Sequence, residues 1–449
     1  ISDWPGMLNI APGLRIEWDR YPHTYELVLG YSTSKEHFIY FPPFGREVPV
    51  YSKFGYVGIK GSSPVKNRWK ANYRVMHSFV RFDKFPNIKD IDFDWASIDW
   101  TGSLELASEV ARVKRRFGLK FERYTLETGY ALDHTWLNFI QGYSTLTFNL
   151  PQDVQHSLGG VITTLKDKVA FKGLMSSCWR INAAQHVGTT VSYAQRLAPQ
   201  DNNVWYWINH GYDLLPDNGI EFKAFDDHPD RSQQLTSDAY WQMAVHNNLV
   251  ITLSAAYRHF ADLPVVQYHF RLEPKDGSLS SSTSLTGGDW GEVIGADILI
   301  EYQPRGQVRH RLAYGYNSAC NGTRSFRDTR RAVPEHNASY QVTYSPVQNF
   351  SIWAMLRYTS ASVWVDYTAV DGLVPFPQYS TGGTYISSLA GSTVLDLQFQ
   401  KWFLKRRILA NLLFRNLSNE QVRLHPVGAE FDLSFFVQVY FFFDSETLR

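Results

Sequence analysis

The sequence predicts an all-β protein, a transmembrane antiparallel β-barrel of the outer-membrane type with roughly 20–22 strands. Three observations carry that expectation: apolar residues at every second position over long stretches, short and long connections in alternation, and many aromatics on a chain of modest hydropathy. Aromatics make up 15% of the 449 residues, with 26 Tyr, 29 Phe and 14 Trp, yet the mean hydropathy is −0.29. A barrel wall needs only one apolar face, so its average stays low while interfacial girdles raise the Trp and Tyr content. Nothing approaches the roughly 18–20 consecutive apolar residues of a membrane helix, so any span is made by strands.

In chain order, Leu14, Ile16 and Trp18 alternate with Arg15, Glu17 and Asp19, a short turn follows at Tyr21-Pro22, and Tyr25, Leu27, Leu29 and Tyr31 form the return strand. Glu36 to Tyr51, aromatic and Pro-rich, reads as a long external loop. With short turns on the periplasmic side the first strand descends from outside, which is the wrong parity for an even-stranded barrel and predicts an upstream strand. From Trp69 to Gln200 alternation persists in pieces (Gly118 to Tyr124, Trp136 to Phe148, Val187 to Tyr193) without a fixed register, and Leu106 to Arg116 fits a helical turn equally well. Asp201 to Ser237, rich in Trp, Tyr and Asp, reads as a long loop. Neither an internal repeat nor a second-domain boundary is visible, so 1–449 is expected to be one barrel domain.

The second half is clearer. Leu249, Ile251, Leu253, Ala255 and Tyr257 oppose Thr252, Ser254 and Arg258, and Ile294, Ala296, Ile298, Ile300 and Tyr302 oppose Asp297 and Glu301. Leu395, Leu397 and Phe399 then oppose Asp396, Gln398 and Gln400, and Ile408, Ala410, Leu412 and Phe414 oppose Asn411 and Arg415. Phe431 to Phe443 carries Phe, Leu or Val at every odd position and reads as one closing strand. Period two puts one set on each face, greasy toward lipid and polar toward a lumen. Turns at His246–Asn248, Pro304–Gln307, Ser345–Asn349 and Leu404–Arg407 alternate with long polar stretches at Pro274–Trp290, Asn317–Asn337, Ala361–Gly391 and Ser418–Glu430. That sorting places the C-terminus in the periplasm.

Composition excludes other classes. Lys+Arg number 44 against 43 Asp+Glu, for a net charge of +1, and no basic block tracks a phosphate backbone, so nucleic acid is not an expected partner. Cys178 and Cys320 make neither a disulfide framework nor a CxxC or CxxH metal spacing. No G-x-S-x-G, H-E-x-x-H, Walker or Rossmann pattern occurs, and His246, His259 and His310 are scattered singly, so no catalytic residue is assigned and no enzyme or cofactor is expected. Asp226-Asp227-His228-Pro229-Asp230 gathers hard-cation ligands in one stretch, but a solvated loop is the default and no metal is assigned. Alternation projects Asp297, Glu301, Arg311, Arg357, Asp396, Asn411 and Arg415 into the lumen, where any water-filled or plugged barrel needs polar lining.

Four segments, in order, resemble the barrel of TonB-dependent outer-membrane receptors, particularly Bacteroidetes-like ones: Ala11-Pro12-Gly13-Leu14-Arg15-Ile16-Glu17 with Gly30-Tyr31, Trp290 to Asp297 with Tyr314-Gly315-Tyr316, Val333-Pro334-Glu335-His336, and Arg415-Asn416-Leu417 with His425-Pro426 and Gly428. The family carries a plug domain of roughly 130 residues and a TonB box ahead of its barrel; neither is recognised here, and Asp444 to Arg449 extend past the last aromatic. The resemblance implies uptake of a scarce nutrient (siderophore, cobalamin, glycan or peptide) across the outer membrane of a Gram-negative bacterium. It also implies lipid and lipopolysaccharide contacts, the TonB system as a partner through an upstream plug, and outer-membrane protein partners. The alternatives are a plug-less scaffold subunit of a larger outer-membrane complex and a passive porin-like channel.

Overall fold

A computed structural model describes the chain except for residues 1–8, 11–12, 21, 42–45, 67, 85–94, 129–134, 152, 166–167, 198–230, 273–278, 373–385, 405, 424–429 and 442–449. The strands are β1 (Asn9–Ile10), β2 (Gly13–Arg20), β3 (His23–Phe41), β4 (Arg46–Pro64), β5 (Trp69–Lys84), β6 (Trp95–Val110), β7 (Val113–Thr128), β8 (Thr135–Leu150), β9 (Val154–Leu165), β10 (Lys168–Asn182), β11 (Gln185–Leu197) and β12 (Arg231–His246). There follow β13 (Leu249–Leu272), β14 (Leu279–Arg305), β15 (Val308–Gly322), helix α1 (Arg324–Arg330), β16 (His336–Val347), β17 (Phe350–Thr359), β18 (Ser362–Val363), a 3₁₀ turn (Val365–Val370), β19 (Ser388–Leu389), β20 (Ser392–Phe403), β21 (Ile408–Arg415), β22 (Val422–Arg423), β23 (Glu430–Phe431) and β24 (Ser434–Phe441).

One sheet of twenty strands holds all but the two short pairs β18–β19 and β22–β23. Apart from the two-residue β1, it is an unbroken antiparallel meander of nineteen strands in which each pairs with its neighbours in sequence. Among the described residues β2 pairs with β3 and β24 with β21, so these are the edges, and an odd count makes them run the same way. Among the described residues the meander has nineteen strands, in keeping with the roughly 20–22 expected.

Register separates the faces across the whole sheet. From β3 to β8 one row of facing partners runs Glu26–Lys60–Arg74–Ser103–Lys120–Gln141, and the adjacent row runs Leu27–Ile59–Val75–Gly102–Phe121–Ile140. Further on, Ser254–Asp297–Gly315–Asn337 lies beside Leu253–Ile298–Tyr314–Ala338, and Gln400–Asn411–Gln438 beside Phe399–Leu412–Val437. Because a slip of one residue would move every side chain to the opposite face, the agreement of so many rows fixes the pairing. The apolar face stays open: Leu119 is 62% exposed and Val437 66%.

The sheet's two ends also differ. Every connection at one end, from 21–22 through 404–407, is two to four residues long. Several use left-handed residues to turn tightly, among them Ala111 at φ 53°, Asp153 at 57° and Arg406 at 70°. The other end carries 85–94, 129–134, 198–230, 273–278, 323–335, 360–391 and 416–433, together with shorter connections at 42–45 and 166–167.

Several expectations need correction. Leu106–Arg116 is the β6–β7 hairpin: Val110 pairs with Val113, and its charges cluster where both faces reach water. Glu36–Tyr51 is largely strand, with Phe41 paired to Arg46. In Pro274–Trp290 the chain is already in β14 from Leu279, paired back to Leu272. The segment Val265 to Phe270, rich in β-branched and aromatic residues, offers the polar run Ser280 to Ser284 a strand to join. The strand through Tyr314-Gly315-Tyr316 continues to Gly322. The closing strand is not one run of thirteen: Phe431 pairs with Val422 in a small hairpin, Leu433 gives its N–H to Asn419 Oδ1 at 3.2 Å, and the sheet resumes at Ser434. Strand β12 begins at Arg231, and Asp226–Asp230 lies outside the described residues.

Candidate functional site

At the long-connection end, the loop after β15 does not stand away from the sheet. Thr323 caps α1, accepting the Phe326 N–H at 3.3 Å, and its own N–H reaches Trp290 O at 3.0 Å. Ser325 Oγ bonds Asp289. Phe326 is 3% exposed and its ring lies against Gly291, where a Cβ would come within 2.0 Å of the ring. Gly291 faces Phe260 across the β13–β14 ladder, so it shares the polar face with Arg258 and Val293. The Phe260 and Phe326 rings pack at 6.0 Å, and Arg330 places its guanidinium 5.3 Å above one and 5.4 Å above the other. Helix α1 is therefore folded down onto the polar face. Val363 donates to Arg331 O at 2.8 Å, which fastens the 360–391 connection over α1, and the 3₁₀ turn reaches β13.

Below α1 the same face holds a pocket of about 240 Å³ lined by Arg258, Asp297, Asn317, Asn337 and the small residues Ala256, Gly295 and Gly315. Gly315 is needed here, since a Cβ would stand 2.8 Å from Asp297 Oδ1. Asp297 accepts from Ser254 Oγ at 3.3 Å. Burial lowers the Arg330 pKa from its ordinary value, and the neighbouring positive charge of Arg258 lowers it further. A guanidinium does not lose its proton in a protein, so the cost appears as strain between like charges. Among the described residues neither arginine has a carboxylate within salt-bridge distance; nearby Asp328 is engaged with Arg324 at 3.5 Å, and Glu292 faces the other way with Tyr257 and His259.

A second polar cluster lies at the same end. Asp396, 3% exposed, receives Arg357 at 2.7 Å and the Asn416 N–H at 3.0 Å. Asn416, held at φ 54°, spans the turn by giving its amide to Glu420 O at 2.7 Å while its Oδ1 accepts Ser418 Oγ and the Glu420 N–H. The Arg415-Asn416-Leu417 segment thus acts as a structural clamp on the β20–β21 end.

The seven sequence-assigned residues share the polar face by register: Asp297, Glu301, Arg311, Arg357, Asp396, Asn411 and Arg415. They are not gathered into one site. Asp297 lines the pocket; Arg357 and Asp396 form the clamp; Arg311 stands opposite Glu301, yet Arg309 makes the ion pair with it. Asn411 is 7% exposed with no partner for Oδ1, and Arg415 lies 5.6 Å over Phe436. Arg330, Phe326 and Phe260 escaped the sequence reading, and Arg258 was placed on the polar face without being singled out; the Thr323 cap before Arg324-Ser325-Phe326 was the available signal. Among the described residues no group of three or more His, Cys, Asp or Glu could hold a metal, and no helix is long and apolar enough to cross a membrane.

A single meander with one apolar and one polar face, tight turns at one end and long connections at the other, is the wall of a large β-barrel of the outer-membrane type. No family model matches this chain, and no curated protein matches it in sequence. Solved structures do. The copper transporter OprC superposes with a TM-score of 0.69 at 13% identity, covering 96% of this chain and 71% of its own. The siderophore receptor PirA from Acinetobacter baumannii gives 0.69 at 9% identity, covering 97% and 71%. The ferric enterobactin receptor PfeA from Pseudomonas aeruginosa gives 0.67 at 8%, covering 96% and 69%. At these identities the likeness establishes the fold.

Proposed function

We propose that this chain is the barrel of a TonB-dependent-type receptor that takes up a scarce nutrient through the outer membrane of a Gram-negative bacterium. The observation that carries this is the pocketed polar face at the long-connection end of a barrel whose fold is shared with siderophore and copper receptors. On this reading 1–449 is one barrel domain, the polar face lines the lumen, and all seven assigned residues are lumen residues. Short turns and the C-terminus lie in the periplasm, and the apolar face meets lipid and lipopolysaccharide. Energised opening requires a plug and the TonB system, and outer-membrane proteins are further partners. The protein acts as a transporter rather than an enzyme, and the nutrient is a siderophore, cobalamin, glycan or peptide.

The test is a deletion strain grown with each of these nutrients limiting, with and without a protonophore. The reading expects a defect with one nutrient, restored by the full gene and absent when uptake is uncoupled in both strains. Equal growth with every nutrient, from cells whose barrel is folded, would favour the scaffold or the passive channel.

A further inference from the structure

Several charges on the polar face are answered by a neighbour. Glu26 holds Lys60 at 2.7 Å and Arg15 at 3.2 Å, Glu105 receives Asn72 at 3.1 Å and Tyr143 at 2.9 Å, and Asp396 holds Arg357. The arrangement at α1 is different. There the fold spends a capped helix, a glycine cleared for Phe326 and two aromatic rings on holding Arg330 half-buried beside Arg258, with no acidic partner among the described residues. Two guanidinium groups at close quarters repel, and a desolvated pair costs more than an exposed one. An anion placed between them reverses that sign, and a carboxylate matches the planar fork of each.

We propose that Arg258 and Arg330 form a receiving site for the carboxylate of a small organic anion, whose body sits in the adjoining 240 Å³ pocket against Asn317 and Asn337. The pocket suits such a body: Gly295, Gly315 and Ala256 leave the space, and the two amides supply donors and acceptors. Asp297 on the far side of the pocket sets the polarity, since an anionic group is repelled there and drawn to the arginine side, while hydroxyls or amines on the same ligand fit Asp297. Phe260 and Phe326 fix the Arg330 fork, so little rotamer entropy is lost on binding. The proposal rests on the reading that this face borders a water-filled lumen.

Citrate is the probe. The purified full chain in detergent, checked for a compact heat-modifiable band, is titrated calorimetrically with sodium citrate at constant ionic strength. Saturable one-to-one binding is expected, weakened tenfold or more by Arg258→Gln and by Arg330→Gln. Arg324→Gln, whose side chain is 90% exposed, is expected to leave it unchanged. No saturable citrate binding overturns the proposal, as does undiminished binding by both variants or an equal loss in Arg324→Gln, which would mean diffuse attraction. Should Arg330→Gln lose its compact band, Arg258→Gln decides alone. Failure of the lumen reading would instead appear as loss of period-two thiol accessibility along a strand.

Discussion

The polar face over β2–β9 and the polar face under α1 are made of the same residue types and are wired differently. In the first, carboxylates gather nearby cations, as Glu26 does Arg15 and Lys60, and tyrosines lie over glycines: the Tyr143 ring covers Gly118, where a Cβ would meet it at 2.1 Å. Under α1 an inserted helix covers Gly291 instead of a strand side chain, Arg258 lines a pocket, and Arg330, at the end of the helix, lies over Phe260 and Phe326.

The largest expected effect tests whether the two faces differ at all. Leu119→Arg puts a charge on the apolar face near mid-strand, at a cost of about 2–4 kcal/mol in lipid, whereas Thr101→Arg places it on the polar face in register with Glu122. Urea unfolding in lipid vesicles should separate the two variants by at least half that range. Similar curves would abolish the distinction between the faces.

Next come the buried and exposed pairs. Asp396→Ala removes a carboxylate 5% exposed at its side chain and strands the Asn416 N–H, for a loss of about 1–3 kcal/mol. Glu26→Ala removes one whose partners are 63% and 50% exposed, for a loss below about 1 kcal/mol. The reverse order would show that the clamp at Asn416 is not a stability element. Gly291→Ala is expected to lift Phe326 and loosen α1, costing about 1–3 kcal/mol locally; limited trypsin digestion should then cut at Arg327 or Arg331 sooner than in the parent chain. Smallest of all, Asn411→Leu trades a buried amide whose Oδ1 lacks a partner for an apolar side chain, and stability measured by urea should move by no more than about 1 kcal/mol.

How much of this was legible depended on local chemistry. The strands from Leu249 onward could be read because aliphatic and aromatic residues recur at every second position and short turns punctuate them. From Trp69 to Gln200 the faces were blurred by Gly102, Gly142 and Ser144 standing on the apolar side, and by consecutive charges at Lys114, Arg115 and Arg116 beside a turn, where both faces are wet. Length misled at the ribbon Leu249–Leu272 with Leu279–Arg305, since a polar Ser and Thr run reads as loop until its partner strand is known. The site was least legible. That Phe326 docks on Gly291 and Arg330 on Phe260 joins residues far apart in sequence, and no periodicity carries that information.

The polar face is expected to border water and the apolar face lipid. Single cysteines at Phe117, Gly118, Leu119, Lys120, Phe121 and Glu122, in a chain with Cys178→Ser and Cys320→Ser, test it directly after reconstitution in vesicles. A charged water-soluble thiol reagent should modify positions 118, 120 and 122, and a fluorophore at 117, 119 and 121 should be quenched by brominated lipid. Reactivity without a period of two, or quenching on the even positions, would contradict it.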